Sequence, residues 1–211
     1  MDAALRRAGV KSSCPSVSRV SGKEFYSVFA REHANLGRKG WMVDLHSARE
    51  YSKDYKCFLS KDKKSGIAVN KRTGNVVSVF SSVRGGNRMP KLIATAVANG
   101  GRRLDCFAAG LQSMYGRNGG RIVGKLKFDP SIGKTIAGWD GRTPDVVMMS
   151  LPSSLNAWAR QYSASRITDL ASLRYSATWD DMEAKADKAV SRRIESEKAL
   201  GDIGDALGSG K

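Results

Sequence analysis

Histidine and cysteine are scarce in this chain, with two and three among 211 residues. His33 and His46 are too few and too far apart for a zinc motif, so no metal is expected. Cys14, Cys57 and Cys106 form no metal-type pair, and their number is odd. Cys57 and Cys106 sit in apolar, strand-like runs, which suits buried thiols in a reducing compartment better than a disulfide scaffold. No apolar run reaches the length of a membrane-spanning helix. The first residues lack the apolar centre of a secretion signal, so 1–15 reads as a flexible arm and the expected location is cytoplasmic. Acidic residues are also few: 20 face 36 Lys and Arg, for a net charge of +16. From 151 onward, nine acids face nine bases, so the whole excess lies in 1–150. That surface attracts anions such as nucleotide phosphates, nucleic acid or acidic protein, or serves solubility alone.

What is present is a run of short elements. Residues 16–20 form a strand candidate, and Ser21 with Glu24 has the spacing of a capping box before a helix carrying Phe25, Val28, Phe29 and Leu36. A second helical stretch is expected over 41–51, with Met42, Leu45 and His46. Strands at 55–59, 67–69 and 76–80, separated by polar turns, predict a three-stranded antiparallel meander. Helical spacing continues at 156–173, on Trp158, Tyr162, Ile167 and Leu170. A charged helix over 180–200 has only a thin apolar face, on Ala184, Ala189, Val190 and Ile194, and reads as a solvated surface helix. Together, 152–200 reads as a helical appendage that could also meet an assembly partner. The glycine-rich tail, 201–211, is expected to be mobile.

The organising stretch is 76–128. An apolar β-prone run is followed by a loop with paired glycines and two arginines. Pro90 then stands where a first helical residue belongs, since its fixed φ suits that position. Leu92, Ile93, Ala96 and Val97 give an apolar helical face, stopped by Asn99, Gly100 and Gly101. A short strand at 104–107, a short helix with Leu111, Met114 and Tyr115, and a strand through Ile122, Leu126 and Phe128 complete a βαβ-type crossover. The apolar run at 145–151 reads as the last strand. The layout is α+β.

This order resembles the acyl-CoA-binding half of the GCN5-related N-acetyltransferases, over 16–151. Their pyrophosphate loop reads Arg/Gln-x-x-Gly-x-Gly/Ala, with Leu three residues later. Arg84 and Leu92 match that spacing, while Asn87 and Met89 replace the two small residues. The family also has a Tyr four residues before a Gly, matched by Tyr115 and Gly119. The resemblance implies a mixed, mostly antiparallel sheet flanked by helices, with the last strand beside the one ending at Phe128. It implies acetyl-CoA as cofactor, held by the backbone of Val79, Ser81 and Val83 and by the loop Arg84, Gly85, Gly86, Asn87, Arg88 and Met89, with Lys91 beyond. Tyr115 would protonate the departing thiolate; read from the residues alone, it is equally a core tyrosine.

Three functional readings remain open from the sequence. The first is an acyl-CoA-dependent N-acyltransferase acting by direct attack of an unknown acceptor amine. For it, no general base can be assigned: Glu32, Asp44, His46 and Glu50 lie on early helices, and Asp105 lies on a strand. The second is a non-catalytic protein of this fold serving in an assembly, because divergent proteins of this kind resemble some phage proteins, minor virion components among them. The third is a basic nucleic-acid-binding protein. Its basic segments, such as Arg38–Lys39 and Lys71–Arg72, fall on turns and are not interleaved with aromatics.

Overall fold

Seven strands build one sheet in the order β1-β2-β3-β4-β5-β7-β6, with β2, β3 and β7 buried in continuous runs because both faces of the sheet are covered. The computed structural model describes residues 2–134, 141–162 and 170–208. The chain begins with α1 (Asp2–Arg7), β1 (Val17–Val20) and α2 (Gly22–Ala34). A 3-10 turn at Gly37–Met42 leads to α3 (Ala48–Asp54). The meander β2 (Tyr55–Ser60), β3 (Ser65–Asn70) and β4 (Asn75–Ser81) follows, antiparallel throughout. Helix α4 (Met89–Ala98) crosses to β5 (Arg103–Phe107), which lies parallel to β4. Next come α5 (Leu111–Arg117), β6 (Arg121–Leu126), a short α6 (Pro130–Gly133) and β7 (Val146–Ser150). β7 inserts between β5 and β6, antiparallel to both, so the last strand pairs with β6 as the resemblance implies. Helices α7 (Leu155–Gln161) and α8 (Trp179–Gly208) close the chain. The α+β class, the mostly antiparallel sheet and its flanking helices are therefore present.

The sheet has a core on each face. On one, Leu92, Ile93 and Val97 of α4 pack with Ile67, Val69, Val76, Leu104 and Met149, and with Trp158 of α7. Helix α4 has no side-chain N-cap bond. Burial of Leu92 and Ile93, worth about 1.5–3 kcal/mol each, outweighs the ~1 kcal/mol that a cap would add. On the other face, Phe25, Phe29 and Tyr51 of α2 and α3 cover Cys57, Leu59, Ala68 and Phe80. α2 lies so close to α3 that a Cβ on Gly22 would stand 2.2 Å from the Ser52 nitrogen.

Several expectations need correction. Residues 1–15 are not a free arm: α1 buries Ala4 and Leu5, and Cys14 is buried as well. Residues 41–51 do not form one helix. Trp41 and Met42 belong to the 3-10 turn, and α3 starts only after Ser47. Ser47 and Glu50 make a complete capping box there, which fixes that start. At α2, Ser21 accepts from the Glu24 N–H, but Glu24 pairs with Lys63 instead of closing the box.

The expected C-terminal helices over 152–200 are present and pack on the sheet: Trp158 is fully buried in the main core and α8 packs across β6 and β7. Helix α7 is shorter than the expected 156–173, and Ile167 lies outside the described residues. Helix α8 runs beyond 200 and continues into the expected mobile tail as far as Gly208. Its inward stripe is Met182, Ala186, Arg193 and Glu197, whereas Ala184 is exposed. Gly124 lets it settle on β6, since a Cβ there would lie 2.9 Å from Met182 Cγ. Among the described residues, no helix is long and apolar enough to cross a membrane.

Candidate functional site

β4 and β5 pair only at Asn75 with Arg103 and at Val76 with Leu104. Beyond Val76 the strands part, leaving a fork in the middle of the sheet. A bulge in β4 shapes one side of it. Gly66 of β3 pairs with Phe80, yet Ala68 pairs with Val77, so Ser78 and Val79 together face a single residue of β3. Ser78 has φ of 51°, the left-handed region that a non-glycine residue rarely adopts. The extra residue puts Val77 and Ser78 on the same face, toward α2 and α3. Ser78 Oγ and Tyr51 Oη lie 2.6 Å apart there, and the Asp44 carbonyl accepts from Ser78.

β5 supplies the other side of the fork with Asp105. Burial pushes its carboxyl above the usual carboxylate range. A hydrogen bond from Asn75 opposes that shift, the charge of Asp44 adds to it, and Arg103 pulls it back. A carboxyl poised this way suits a general base better than an exposed one. Tyr115 lies in α5, buried in the main core. Burial raises its phenol above the ordinary value, with Cys106 and Asp105 adding, so it keeps its proton through the neutral range. Cys57 and Cys106, both buried, are pushed up to about 12 by burial and offer no thiolate. Trp41 closes the area beside β5, with its ring 4.9 Å from Phe107 and 5.8 Å from Phe128.

Three of the other candidate bases, Glu32, Glu50 and His46, have structural roles. Glu32 accepts from Arg31. Glu50 closes the box with Ser47, whose hydroxyl and N–H hold its carboxyl below the ordinary value. His46 stacks on Tyr55 with centroids 5.0 Å apart. No group of three or more His, Cys, Asp or Glu among the described residues could hold a metal.

The loop before α4 departs most from its expected role. Arg88 does not project toward a ligand: its guanidinium is buried and makes a two-pronged pair with Asp62, at 3.0 and 2.7 Å, plus a bond to Ser65 Oγ. Two hydrogen bonds in matched geometry hold it there more firmly than solvent would. The residues just before β1 occupy the neighbouring positions. Asn87 donates to the Lys11 carbonyl and accepts from Ser12, Lys91 donates to the Cys14 carbonyl, and Ser13 lies against Gly86. Arg84 and Gly85 stay exposed, and a Cβ on Gly85 would meet nothing within 4 Å, although its φ of 70° favours glycine. Among the described residues, no protein acceptor meets the N–H of Gly85, Gly86 or Asn87. A pyrophosphate therefore fits a reduced set: Arg84 and the backbone of Gly85, Gly86 and Asn87. Met89 starts α4 and is partly buried against the core. Val79 packs on the core, Ser81 pairs with Ser65 at the end of β4, and Val83 is partly buried.

The Asp62–Arg88 pair makes stability pH-dependent. Arg88 holds the Asp62 carboxyl well below the usual range, against the opposing effect of burial. A depressed carboxylate contributes fully above its unfolded value, near 3.9, and loses its contribution as pH falls further. Asp62→Asn is therefore expected to lower the melting temperature at pH 7 more than at pH 3. Thermal melts at the two values check this, and equal losses would show that the pair is not the source.

The chain matches no family model and no curated protein sequence. Among solved structures, it is similar to a GCN5-related N-acetyltransferase from Brucella melitensis, at 15% sequence identity and a TM-score of 0.43, covering 82% of this chain and 93% of that one. At that distance no residue's role transfers, and any assignment rests on the fork itself.

Proposed function

We propose that the chain is an acyl-CoA-dependent N-acyltransferase whose reaction takes place at the fork between β4 and β5. The observation that carries this reading is the parting of two parallel strands after Val76, with Asp105 on one of them and Tyr115 buried on α5, the helix that follows it. Bound acyl-CoA supplies a thioester carbonyl that an amine can attack. Asp105 takes the proton that the attacking amine gives up. Tyr115 gives its proton to the departing sulfur. β4 backbone N–H groups beyond Val76, where β5 no longer pairs, polarise the carbonyl oxygen. Arg84 and the backbone of Gly85, Gly86 and Asn87 hold the pyrophosphate, while Arg88 holds the loop to the turn at Asp62.

Acetyl-CoA is expected to raise the melting temperature, since a ligand at 100 times its Kd stabilises by about 2.7 kcal/mol. Arg84→Ala should weaken that shift without changing the unliganded melting point. Arg88→Ala should lower the unliganded melting point, because it strips Asp62 of its partner. No shift at millimolar acetyl-CoA would remove the enzyme reading. It would favour a second one, a non-catalytic assembly protein of this fold, which the fastening of residues 11–14 onto the loop supports.

A further inference from the structure

At the end of the sheet opposite the fork, where β4 and β5 are still paired, a cavity of about 490 Å³ lies between the start of β5, α7 and α8. A second, of about 450 Å³, adjoins it and shares Asn156 and Arg160. Four cations from four segments line the two: Arg7 of α1, Arg102 ahead of β5, Arg160 of α7 and Lys198 of α8. Among the described lining residues, the acid is Glu197, and its charge is already spent. It is buried, and it accepts from the Ser153 N–H, Gln161 and Arg193. None of the four cations is within ion-pair distance of a described carboxylate. Arg7 donates to Asn156, and Arg102 donates from one nitrogen to the Val97 and Gly101 carbonyls. Burial pushes the Arg102 guanidinium down from its ordinary value, with Glu197 opposing, so a nearby anion would relieve it.

We propose that this groove binds the sugar–phosphate backbone of a nucleic-acid strand. Arginine, lysine, serine and asparagine are the side chains that contact phosphate oxygens, and Ser154 and Asn156 stand among the cations. Two adjoining cavities give length for successive phosphates, where a single pocket would suit one small anion. Among the described residues, no aromatic side chain lines either cavity, so the groove holds phosphates and does not stack bases. The charge of +16 adds long-range attraction.

Fluorescence polarisation of labelled oligonucleotides, single-stranded and duplex, tests the assignment on the whole chain. Binding should be measurable near 50 mM salt and fall steeply by about 200 mM, because neutralised phosphates release counterions. Arg160 and Lys198 are exposed, so the double variant Arg160→Ala with Lys198→Ala should keep its melting temperature. It should lose roughly tenfold or more in affinity, and its log–log salt slope should drop by about one to two. Lys61→Ala with Arg72→Ala, both at exposed turns, is the matching charge control and should lose much less. No binding at low salt, or equal losses in the control and the double variant, would overturn the proposal. So would pyrophosphate binding that the double variant abolishes, with neither oligonucleotide bound, which marks a small-anion pocket in the groove instead.

Discussion

Replacing Arg193 with Met is expected to destabilise the protein by about 3–5 kcal/mol, the usual result of leaving one member of a buried ion pair alone. Arg193 is 6% exposed and Glu197 7%. The guanidinium donates to Glu197 at 2.9 Å, to the Ser150 carbonyl at 2.6 Å, to the Gly119 carbonyl at 2.7 Å, and to Gln161. These bonds join α8 to the end of β7, the loop before β6 and α7 together. Without the arginine, the Ser150 and Gly119 carbonyls lose a donor and the Glu197 carboxylate loses its counter-charge. Arg193→Lys should recover only part, since one ammonium cannot reproduce a planar fork serving acceptors on four residues. Adding Glu197→Leu to Arg193→Met should be less harmful than the single change, because it removes the orphaned charge. Denaturant unfolding of the three variants reads this directly. A loss below about 1 kcal/mol for Arg193→Met would mean that Met182 and Ala186, with the bonds from Arg103 to Glu183 and Asp187, are enough to hold α8.

The second large effect concerns the fork. Tyr115→Phe keeps the ring and its packing but removes the proton donor. Acyl transfer should fall by roughly 10²-fold or more, the worth of a positioned acid. Stability should change by no more than about 1 kcal/mol. Acetyl-CoA affinity should hold, because the residues proposed to carry the phosphates lie on another element. Asp105→Asn should reduce the rate at neutral pH to a similar degree. In the parent, the base works only when ionised, so activity should be lost as pH falls through the Asp105 value, which burial sets above the ordinary carboxylate range. That acid limb should disappear in Asp105→Asn. Initial rates across pH, set beside thermal melts, separate these roles. Full activity in both variants would leave Tyr115 and Asp105 as core residues only.

What the sequence determined was local. The apolar, β-prone runs at 55–59 and 67–69, the polar turns between the strands, Pro90 at the start of α4 and the glycines after it each act through residues a few positions away. The strands and the crossover therefore stand where the pattern predicts them. Tertiary structure decided the rest, because it depends on partners far along the chain. Arg88 reads as a loop cation until Asp62, 26 positions away, takes it inward. Ser78 carries no signal of a bulge, since its backbone is set by pairing with β3 and by Tyr51. Helix α8 shows a thin apolar face because half of its buried stripe is ionic. Hydrophobic periodicity counts Arg193 and Glu197 as surface, and only the docked structure satisfies them, with the Ser150 and Gly119 carbonyls accepting from Arg193 and the Ser153 N–H and Gln161 donating to Glu197. Asp105 reads as one carboxylate among several, and only the parting of β4 from β5 placed it at the fork.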